Sequence, residues 1–435
     1  MTETPNGATT PTPIPDDRSW VRLTTLFLGG QAISLFGSGL VQYALLWYVT
    51  MGTQSGGMMT IATVVGFVPM MLLAPFGGVL ADRMNRRHLI AGADALVALS
   101  TFGLLIAFAM GYGSYTLVFI AMALRAFGGG IQGPAVSALL PQIVPPQHLG
   151  RVNGYNASIQ SGVNLVSPML AGALYAFATI EWILAIDVIT AAIGIGILLL
   201  LVKVPPHAAA VAGSAQSGMA DLVDGVRYVS GHRFVRRLIA YFAVVNFLIA
   251  PLAMLTPLQV TRTFANDPMY LATVEATFAI GMLIGGIVIG TWGGFRSRVT
   301  TTGAAIVVTG VAGILIGLPI NFVLYLAWMF LCGLSLPAVN TPAITMLQLA
   351  AEERFMGRVF SVVSMIGTGA MPLGMLIFGP LADYVSVEWI LIATGALIVA
   401  TGGILLGDRS ARALEPKAVL PSDADPDPEQ SSPAS

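Results

Sequence analysis

Apolar residues along this chain form long runs, separated by short stretches rich in Gly, Pro and charge. A helix needs about 20 consecutive apolar residues to cross a bilayer, whereas the strands of a membrane barrel alternate apolar and polar positions over about ten residues. The runs have helical length and no such alternation. We therefore predict an all-α membrane protein with twelve transmembrane helices. Their expected positions are residues 22–50, 57–81, 88–110, 114–140, 150–177, 182–202, 236–261, 269–292, 299–318, 320–349, 357–383 and 388–406.

Composition supports the membrane class. Hydrophobic residues make up 56% of the 435 residues and charged residues 9%, with a mean hydropathy of +0.82. In soluble proteins, charged residues alone are about 25%. The net charge of −1 gives no argument for a nucleic-acid partner, and Cys332, the one cysteine, permits no internal disulfide. The four histidines are scattered without metal-ligand spacing, so we expect no metal site.

The basic residues predict the orientation of the helices, because cytoplasmic loops collect Lys and Arg. With both termini placed in the cytoplasm, all 20 Lys and Arg except Arg125 and Arg262 fall on the cytoplasmic side. Arg125 lies within a predicted span and Arg262 on the outer side. We expect a multi-pass protein of the cell membrane with both termini inside.

The chain divides into two six-helix halves, residues 20–202 and 236–407. Residues 203–235 form the longest interruption and are expected to be a cytoplasmic linker with an amphipathic surface helix. Leu149-Gly150-Arg151-Val152 recurs 207 residues later as Met356-Gly357-Arg358-Val359, and Gly172 recurs at the same distance as Gly379. Residues 1–19 and 408–435 are expected to be disordered cytoplasmic tails, and no signal peptide is expected.

The turn from Gly77 to Arg87 gathers one carboxylate and three guanidinium groups between two apolar runs. Its residues Gly78-x-Leu80-Ala81-Asp82-Arg83-x-x-Arg86-Arg87 resemble the loop between helices 2 and 3 of the major facilitator superfamily of secondary transporters. Asn85 stands where that family usually has Gly. The resemblance implies two six-helix halves related by an axis along the membrane normal, with the substrate site between them. It also implies a cytoplasmic gating network, to which we assign Asp82, Arg83, Arg86, Arg87 and Asp94.

Three intramembrane charges are the candidates for proton coupling. Arg125 opens a run that resembles the family's fourth-helix motif, R-x-x-q-G-x-g, which is implicated in proton transfer; a structural arginine is the alternative. Glu275 lies one or two turns inside the eighth span, where burial would let a carboxyl exchange protons near neutral pH, unless it remains in water at the outer face. Asp187 in the sixth span is either a proton shuttle or a brace between helices.

Polar and adaptable side chains in spans one, five, seven, eight and ten are the candidates for the substrate cavity. In span five, Asn156, Gln160 and Asn164 recur every four residues and share one helix face, although hydrogen bonding between helices explains them nearly as well. The full set of candidates is Gln31, Ser34, Gln42, Tyr43, Asn156, Gln160, Asn164, Asn246, Met254, Gln259, Phe278 and Asn340. Two glycine pairs in span eight, Gly281 with Gly285 and Gly286 with Gly290, predict close helix contact.

The narrower resemblance is to the macrolide and multidrug efflux and siderophore exporter branch of the superfamily. Gln31-Ala-Ile-Ser34-Leu-Phe-Gly37-Ser38 in span one and Asn246-Phe-Leu-Ile-Ala-Pro251-Leu in span seven carry it. It implies a proton antiporter that exports amphiphilic small molecules. The alternatives are a dedicated exporter of one endogenous metabolite, such as a siderophore, and a non-transporting sensor or scaffold.

The sequence gives no support for ATP as an energy source or for enzymatic activity. A phosphate-binding loop is absent, so we expect no ATP drive and no cofactor beyond the proton gradient. No nucleophile, base and orienting group converge in the sequence, so we expect no enzyme. The protein is expected to act as a monomer in the bilayer.

Overall fold

The computed structural model describes residues 19–202, 204, 227–352 and 355–413, and its regular elements are helices. The first six spans are α1 Ser19–Thr53, α2 Gly56–Arg83, α3 Arg86–Ala109, α4 Tyr115–Ile143, α5 Leu149–Phe177 and α6 Ile180–Gly196. The seventh is divided into α7 Arg233–Met254 and α8 Thr256–Thr263. The others are α9 Pro268–Trp292, α10 Arg298–Ile316, α11 Phe322–Ala350, α12 Met356–Leu381 and α13 Val387–Gly407, followed by the short α14 Arg409–Ala413.

The predicted twelve-helix fold is confirmed. Eleven spans are long and apolar enough by themselves to cross a membrane. The remaining helix, α5, has 29 residues but carries more polar side chains. The seventh span is interrupted at Leu255, next to Pro257 at the start of α8, because proline cannot donate a backbone hydrogen bond. Most of the expected tails and most of the linker lie outside the described residues. The prediction of disorder was wrong for Arg409–Ala413, which is helical, and residues 227–231, at the end of the expected amphipathic helix, are helical as well.

The chain forms two compact units that differ from the two sequence halves. The first unit comprises Met1–Gly218, Leu255–Ala276 and Met375–Tyr384, and the second comprises Met219–Met254, Thr277–Gly374 and Val385–Ser435. The division into halves at residues 203–235 therefore stays a prediction. In addition to the first six helices, the first unit contains α8, the start of α9 and the end of α12, which are predicted to lie at the outer side of the membrane.

Each unit has its own apolar core. In the first, Phe27, Ile90 and Leu139 belong to a buried cluster built from α1, α3 and α4. In the second, Val235, Met346 and Val359 belong to a cluster of α7, α11 and α12.

Close glycine contacts bring helices of the second unit together. A Cβ placed on Gly281 would lie 2.4 Å from the carbonyl oxygen of Phe330, and one on Gly285 would lie 2.3 Å from that of Leu334. These two glycines therefore let α9 pack backbone to backbone against α11, as predicted. The prediction was wrong for Gly286 and Gly290, where an added Cβ would meet nothing within 4 Å.

Candidate functional site

A buried ion pair lies at the centre of the first unit. The Arg125 guanidinium of α4 contacts the Asp187 carboxylate of α6, and both side chains are almost completely buried. Arg125 Nη2 also donates to the Ser38 carbonyl oxygen at 2.8 Å, and its Nη1 contacts the Thr101 hydroxyl. The Asp187 carboxylate accepts from Ser38 Oγ at 2.9 Å and from Thr101 Oγ1 at 2.8 Å. Four helices, α1, α3, α4 and α6, thus meet at one charge-neutral cluster.

Glycines on both sides of the cluster explain how the helices come this close. A Cβ on Gly37 of α1 would lie 3.1 Å from the Asp187 Cα and 2.0 Å from the Thr190 hydroxyl of α6. Gly128 of α4 abuts the backbone of α3, and Gly130 abuts that of α2. Because small residues let helix backbones approach closely, the glycine-rich run after Arg125 is a packing device that positions the arginine.

A second polar cluster lies next to the ion pair and consists of two glutamine amides and one carboxylate. Gln132 Nε2 of α4 donates to Asp94 Oδ1 of α3 and to Gln31 Oε1 of α1, the latter at 3.3 Å. Asp94 is 4% exposed and Gln31 3% exposed. Asp94 therefore lies in an amide cluster deep in the first unit, separate from the loop arginines with which the sequence grouped it.

Glu275 lies on the first turns of α9, within the first unit. Its side chain is half-buried, and among the described residues it has neither a hydrogen bond nor an ion pair. It lies near Tyr43 of α1. Gly172 of α5 contributes to this proximity, since a Cβ there would lie 2.7 Å from the Cβ of Ala272 on α9 and 2.6 Å from the Trp47 ring of α1.

The turn from Gly77 to Arg87 stabilises the predicted cytoplasmic ends of three helices. Arg86 donates to the carbonyl oxygens of Ala81 on α2 and Ala138 on α4, both at 2.9 Å, and lies 3.6 Å from Asp82. Arg87 donates to the carbonyl oxygens of Leu198, at 3.0 Å, and Leu199, which follow α6. Carbonyl groups in the last turn of a helix have no intrahelical donor, so Arg86 at Ala81 and Arg87 at Leu198 and Leu199 supply donors that these helix ends lack. Arg83 is exposed.

At the predicted outer end, Asp383 beyond α12 binds the start of α2. Its carboxylate accepts from the backbone N–H of Gly56 at 2.7 Å, from that of Gly57 at 2.8 Å and from Ser55 Oγ at 3.0 Å. The first N–H groups of a helix are unpaired and carry its positive dipole end. A carboxylate from a distant part of the chain thus caps α2, and we call this set of contacts the outer latch.

Arg262 at the end of α8 completes the outer latch. It lies 3.4 Å from Asp383 and donates to the carbonyl oxygens of Ala382, at 2.8 Å, and Gln54, at 3.1 Å. Gln54 has a φ of +48°, a left-handed conformation that few residues other than glycine adopt. Gln54 lies in the turn between α1 and α2, and its carbonyl oxygen accepts the hydrogen bond from Arg262.

The helices behind the outer latch touch through their backbones. A Cβ on Gly56 would lie 2.1 Å from the carbonyl oxygen of Gly379 on α12, and Thr60 Oγ1 donates to the Met375 carbonyl oxygen at 2.9 Å. Gly379 is the repeat equivalent of Gly172, which makes the matching approach between α5 and α9. Both repeat-related glycines therefore lie where helices cross closely at their predicted outer ends.

Comparison with known proteins identifies the family. The model of the Major Facilitator Superfamily matches residues 27–375. The chain belongs to the major facilitator superfamily. As a member of this superfamily, it is a multi-pass membrane transporter and not an enzyme.

Two relatives and one solved structure illustrate where it stands within the superfamily. Macrolide efflux protein A of Streptococcus pyogenes is 30% identical over 373 residues, which are 85% of this chain and 92% of that protein. Multidrug efflux pump Tap of Mycobacterium tuberculosis is 26% identical over 391 residues, 87% of this chain and 91% of that protein. A crystal structure of a peptide transporter, POT, superposes with a TM-score of 0.70 at 13% identity, covering 90% of this chain and 95% of that one. The last likeness concerns the fold alone.

The cavity residues predicted for this transporter have varied surroundings. In the first unit, Ser34 packs against Gly194 between α1 and α6, and Gln259 is 2% exposed, so both belong to packed interiors. Gln160 and Asn164 lie on an exposed face of α5, and Asn156 is half-buried. In the second unit, Asn246 donates to the Phe242 carbonyl oxygen of its own helix at 2.8 Å. The other candidates there are half-buried or, for Asn340, exposed.

Sequence reasoning missed the outer latch of this superfamily member, as well as Thr101 and Gln132. Arg262 did carry a signal, because it was the one basic residue placed at the outer side, where a partner is needed to explain it. Asp383 looked like an ordinary turn residue between two spans. No local pattern connects it with Gly56, which lies 327 residues away.

Proposed function

We propose that the protein exports amphiphilic small molecules, drug-like compounds such as macrolides among them, in exchange for protons by alternating access. It does so as a monomer in the cell membrane, with both termini in the cytoplasm. Export is supported above all by the 30% identity to Macrolide efflux protein A over 92% of that protein. The similarity to Multidrug efflux pump Tap points to a broad substrate range.

Glu275 is the proposed coupling carboxylate. A charge within a membrane span is costly unless it has a partner or a functional reason to be there. Glu275 has no cation beside it among the described residues, whereas Asp187 is held by Arg125 and two hydroxyl groups. We therefore assign proton exchange to Glu275, and assign to Arg125 and Asp187 the coupling of helix positions around it.

Alternating access requires that the outer contacts open and that the cytoplasmic contacts of the loop network form and break. The outer latch supports this idea because it consists of hydrogen bonds and one ion pair, which are reversible. At the cytoplasmic end, Asp82, Arg83, Arg86 and Arg87 are the proposed gating residues.

The test is efflux from cells that lack their own drug pumps. A radiolabelled macrolide, a lipophilic cationic dye and an unrelated antibiotic are loaded, and their loss is followed with and without a protonophore. Export of several compounds that the protonophore abolishes and that Arg125→Ala removes, at equal protein abundance in the membrane, supports the proposal. Export of none of them by correctly inserted protein contradicts the broad range and favours a single host metabolite as cargo.

The coupling role of Glu275 is tested in inside-out vesicles with an imposed pH gradient. Glu275→Gln should abolish the dependence of uptake on the gradient, because the amide cannot take up a proton. Glu181→Gln, which changes an acidic residue in the first turn of α6, is the matched control and should transport normally. Unchanged pH dependence in Glu275→Gln would refute the assignment.

A further inference from the structure

Two polar layers cross the interior of the first unit, about two helical turns apart. The upper layer contains Ser38, Thr101 and Arg125 with Asp187, and the lower layer contains Gln31, Asp94 and Gln132. In α1, α3 and α4 alike, the upper and lower residues are seven positions apart. Seven residues make almost two turns, so each pair shares a helix face at a separation of about 10 Å.

The carboxylates of the two layers, Asp187 and Asp94, have different hydrogen-bond and ion-pair partners. Asp187 is paired with a guanidinium group and accepts hydrogen bonds from two hydroxyl groups. Asp94 receives one amide hydrogen bond, from Gln132 to Oδ1. The amide of Gln31 lies beside the same carboxylate, yet Oδ2 is buried without a hydrogen-bond partner. A charge buried in that position is unfavourable, because only part of it is compensated by hydrogen bonds.

The charged groups around Asp94 are engaged elsewhere. Arg125 of α4 binds Asp187 of α6 in the upper layer. Arg86 and Arg87, at the start of α3, donate to the carbonyl oxygens of Ala81, Ala138, Leu198 and Leu199, and Asp82 of α2 lies beside Arg86. On α1, the residue facing Asp94 is Gln31. None of these described helices directs a cation to the Asp94 carboxylate.

We infer that Asp94 is a second proton-binding site of this transporter, distinct from Glu275 and located inside the first unit. Binding adds a proton to Oδ2 and makes the side chain neutral, which removes the free-energy penalty of a buried charge. The inference rests on the proposed proton coupling for its role in transport, but the site itself is defined by Asp94, Gln31 and Gln132.

The two glutamines suit a carboxyl group that changes its protonation state. An amide both donates and accepts, whereas a guanidinium only donates. When Asp94 is charged, the Gln132 amide donates to it. When Asp94 is protonated, a rotation of the Gln31 amide presents its oxygen to the Oδ2–H donor. Either form thus finds a partner by side-chain rotation, without a change in the packing of α1, α3 and α4.

Infrared difference spectroscopy of the purified full-length protein in lipid nanodiscs tests this directly, without substrate. The pH is changed stepwise, and the C=O band of protonated carboxyl groups is followed. Asp94→Asn should remove one titrating component, Asp94→Glu should restore it at a shifted frequency, and Glu275→Gln should remove a different one. Asp82→Asn is the matched control, since this carboxyl is partly exposed beside Arg86, and it should leave the titrating components of both sites intact.

A second variant tests the site while the carboxyl group remains. Gln132→Lys places a cation beside Asp94 and should suppress the protonated band near neutral pH. If Asp94→Asn leaves every titrating component in place in folded protein, the inference is wrong whatever the transport assays show. If the Asp94 component is present but efflux is indifferent to protonophore, the proton site stands and the proposed antiport is wrong.

Discussion

The outer latch predicts a specific response to the loss of one charge. In Asp383→Asn, the side chain keeps its shape and one acceptor oxygen, but it loses the negative charge that faces Arg262 and the start of α2. An anion at a helix start contributes up to about 2 kcal/mol in favourable, partly buried geometry, and hydrogen bonds to charged groups contribute about 1.5–3 kcal/mol each. Since Asn keeps part of the bonding, we expect a net loss of about 1–3 kcal/mol. This corresponds to a shift of roughly 5- to 150-fold toward the open outer end.

The assay reads the accessibility of the contact behind the outer latch. Thr60 is 6% exposed and lies between α2 and α12, so Thr60→Cys introduces a reporter thiol that the closed state shields. Native Cys332 is 2% exposed and adds little background. Intact cells are treated with a membrane-impermeant maleimide, and the labelling rate is compared between the reporter alone and the reporter with Asp383→Asn. The rate should rise by the same factor as the open population.

Two controls make the result specific. Asp383→Glu keeps the charge and should label more slowly than Asp383→Asn. Asp267→Asn removes an acidic residue that caps its own helix, through a bond from the Met269 N–H at 2.8 Å, and should leave the reporter rate unchanged. Equal labelling of Asp383→Asn and the unsubstituted reporter protein would refute the idea that this carboxylate holds the outer ends together.

Three further predictions address pH, charge and packing. Partial burial alone would raise the pKa of Asp383, but the bonds from Gly57, Gly56 and Ser55 and the charge of Arg262 outweigh it and lower that pKa below its usual value. The stabilisation by the charged carboxylate is therefore present above the ordinary carboxyl pKa of about 4, and it is lost only as the external pH falls through the lowered pKa. Labelling of the reporter thiol should accordingly be unchanged from neutral to mildly acidic pH. Arg125→Leu should lower the free energy of unfolding by about 3–5 kcal/mol, because Asp187 is left buried without its cation. The double variant with Asp187→Leu should again give folded protein in size-exclusion chromatography, but it should not restore efflux. Gly37→Val should abolish folded protein on the same column, whereas Gly29→Ala, where an added Cβ meets nothing within 4 Å, should fold normally.

Most of the fold was predictable because its signals are local. A run of apolar residues identifies a membrane helix without knowledge of its neighbours, and all twelve spans were located in this way. The span with the weakest apolar signal is α5, because several amide side chains interrupt its apolar run. The divided seventh span was also missed, because Pro257 reads equally well as a kink within one helix.

The site was less predictable because its bonds join distant parts of the chain. Arg125 was singled out as a charge in a span, and its partner Asp187 was named, but no pattern showed that the two form a pair. Asp94 was assigned to the loop arginines since both lie near the start of α3. In the structure, Asp94 lies deeper in the first unit than the loop arginines, because residue 94 is eight positions, about 12 Å, along the helix from Arg86. Depth along a helix, as much as distance along the sequence, decides which polar groups meet.

The paired glycines at the outer end have a consequence for speed. Gly379 meets Gly56, and Gly172 meets Ala272, through backbone and small side chains. In the proposed alternating access, these are surfaces that would separate and rejoin. Glycine and alanine have no side-chain rotamers to order, so rejoining these surfaces freezes almost no side-chain motion. Long interlocking side chains would each have to find one rotamer before the helices fit together again. A transporter that closes on smooth surfaces can return to its closed form with a small entropic barrier, and this property is set by residues that bind neither cargo nor proton.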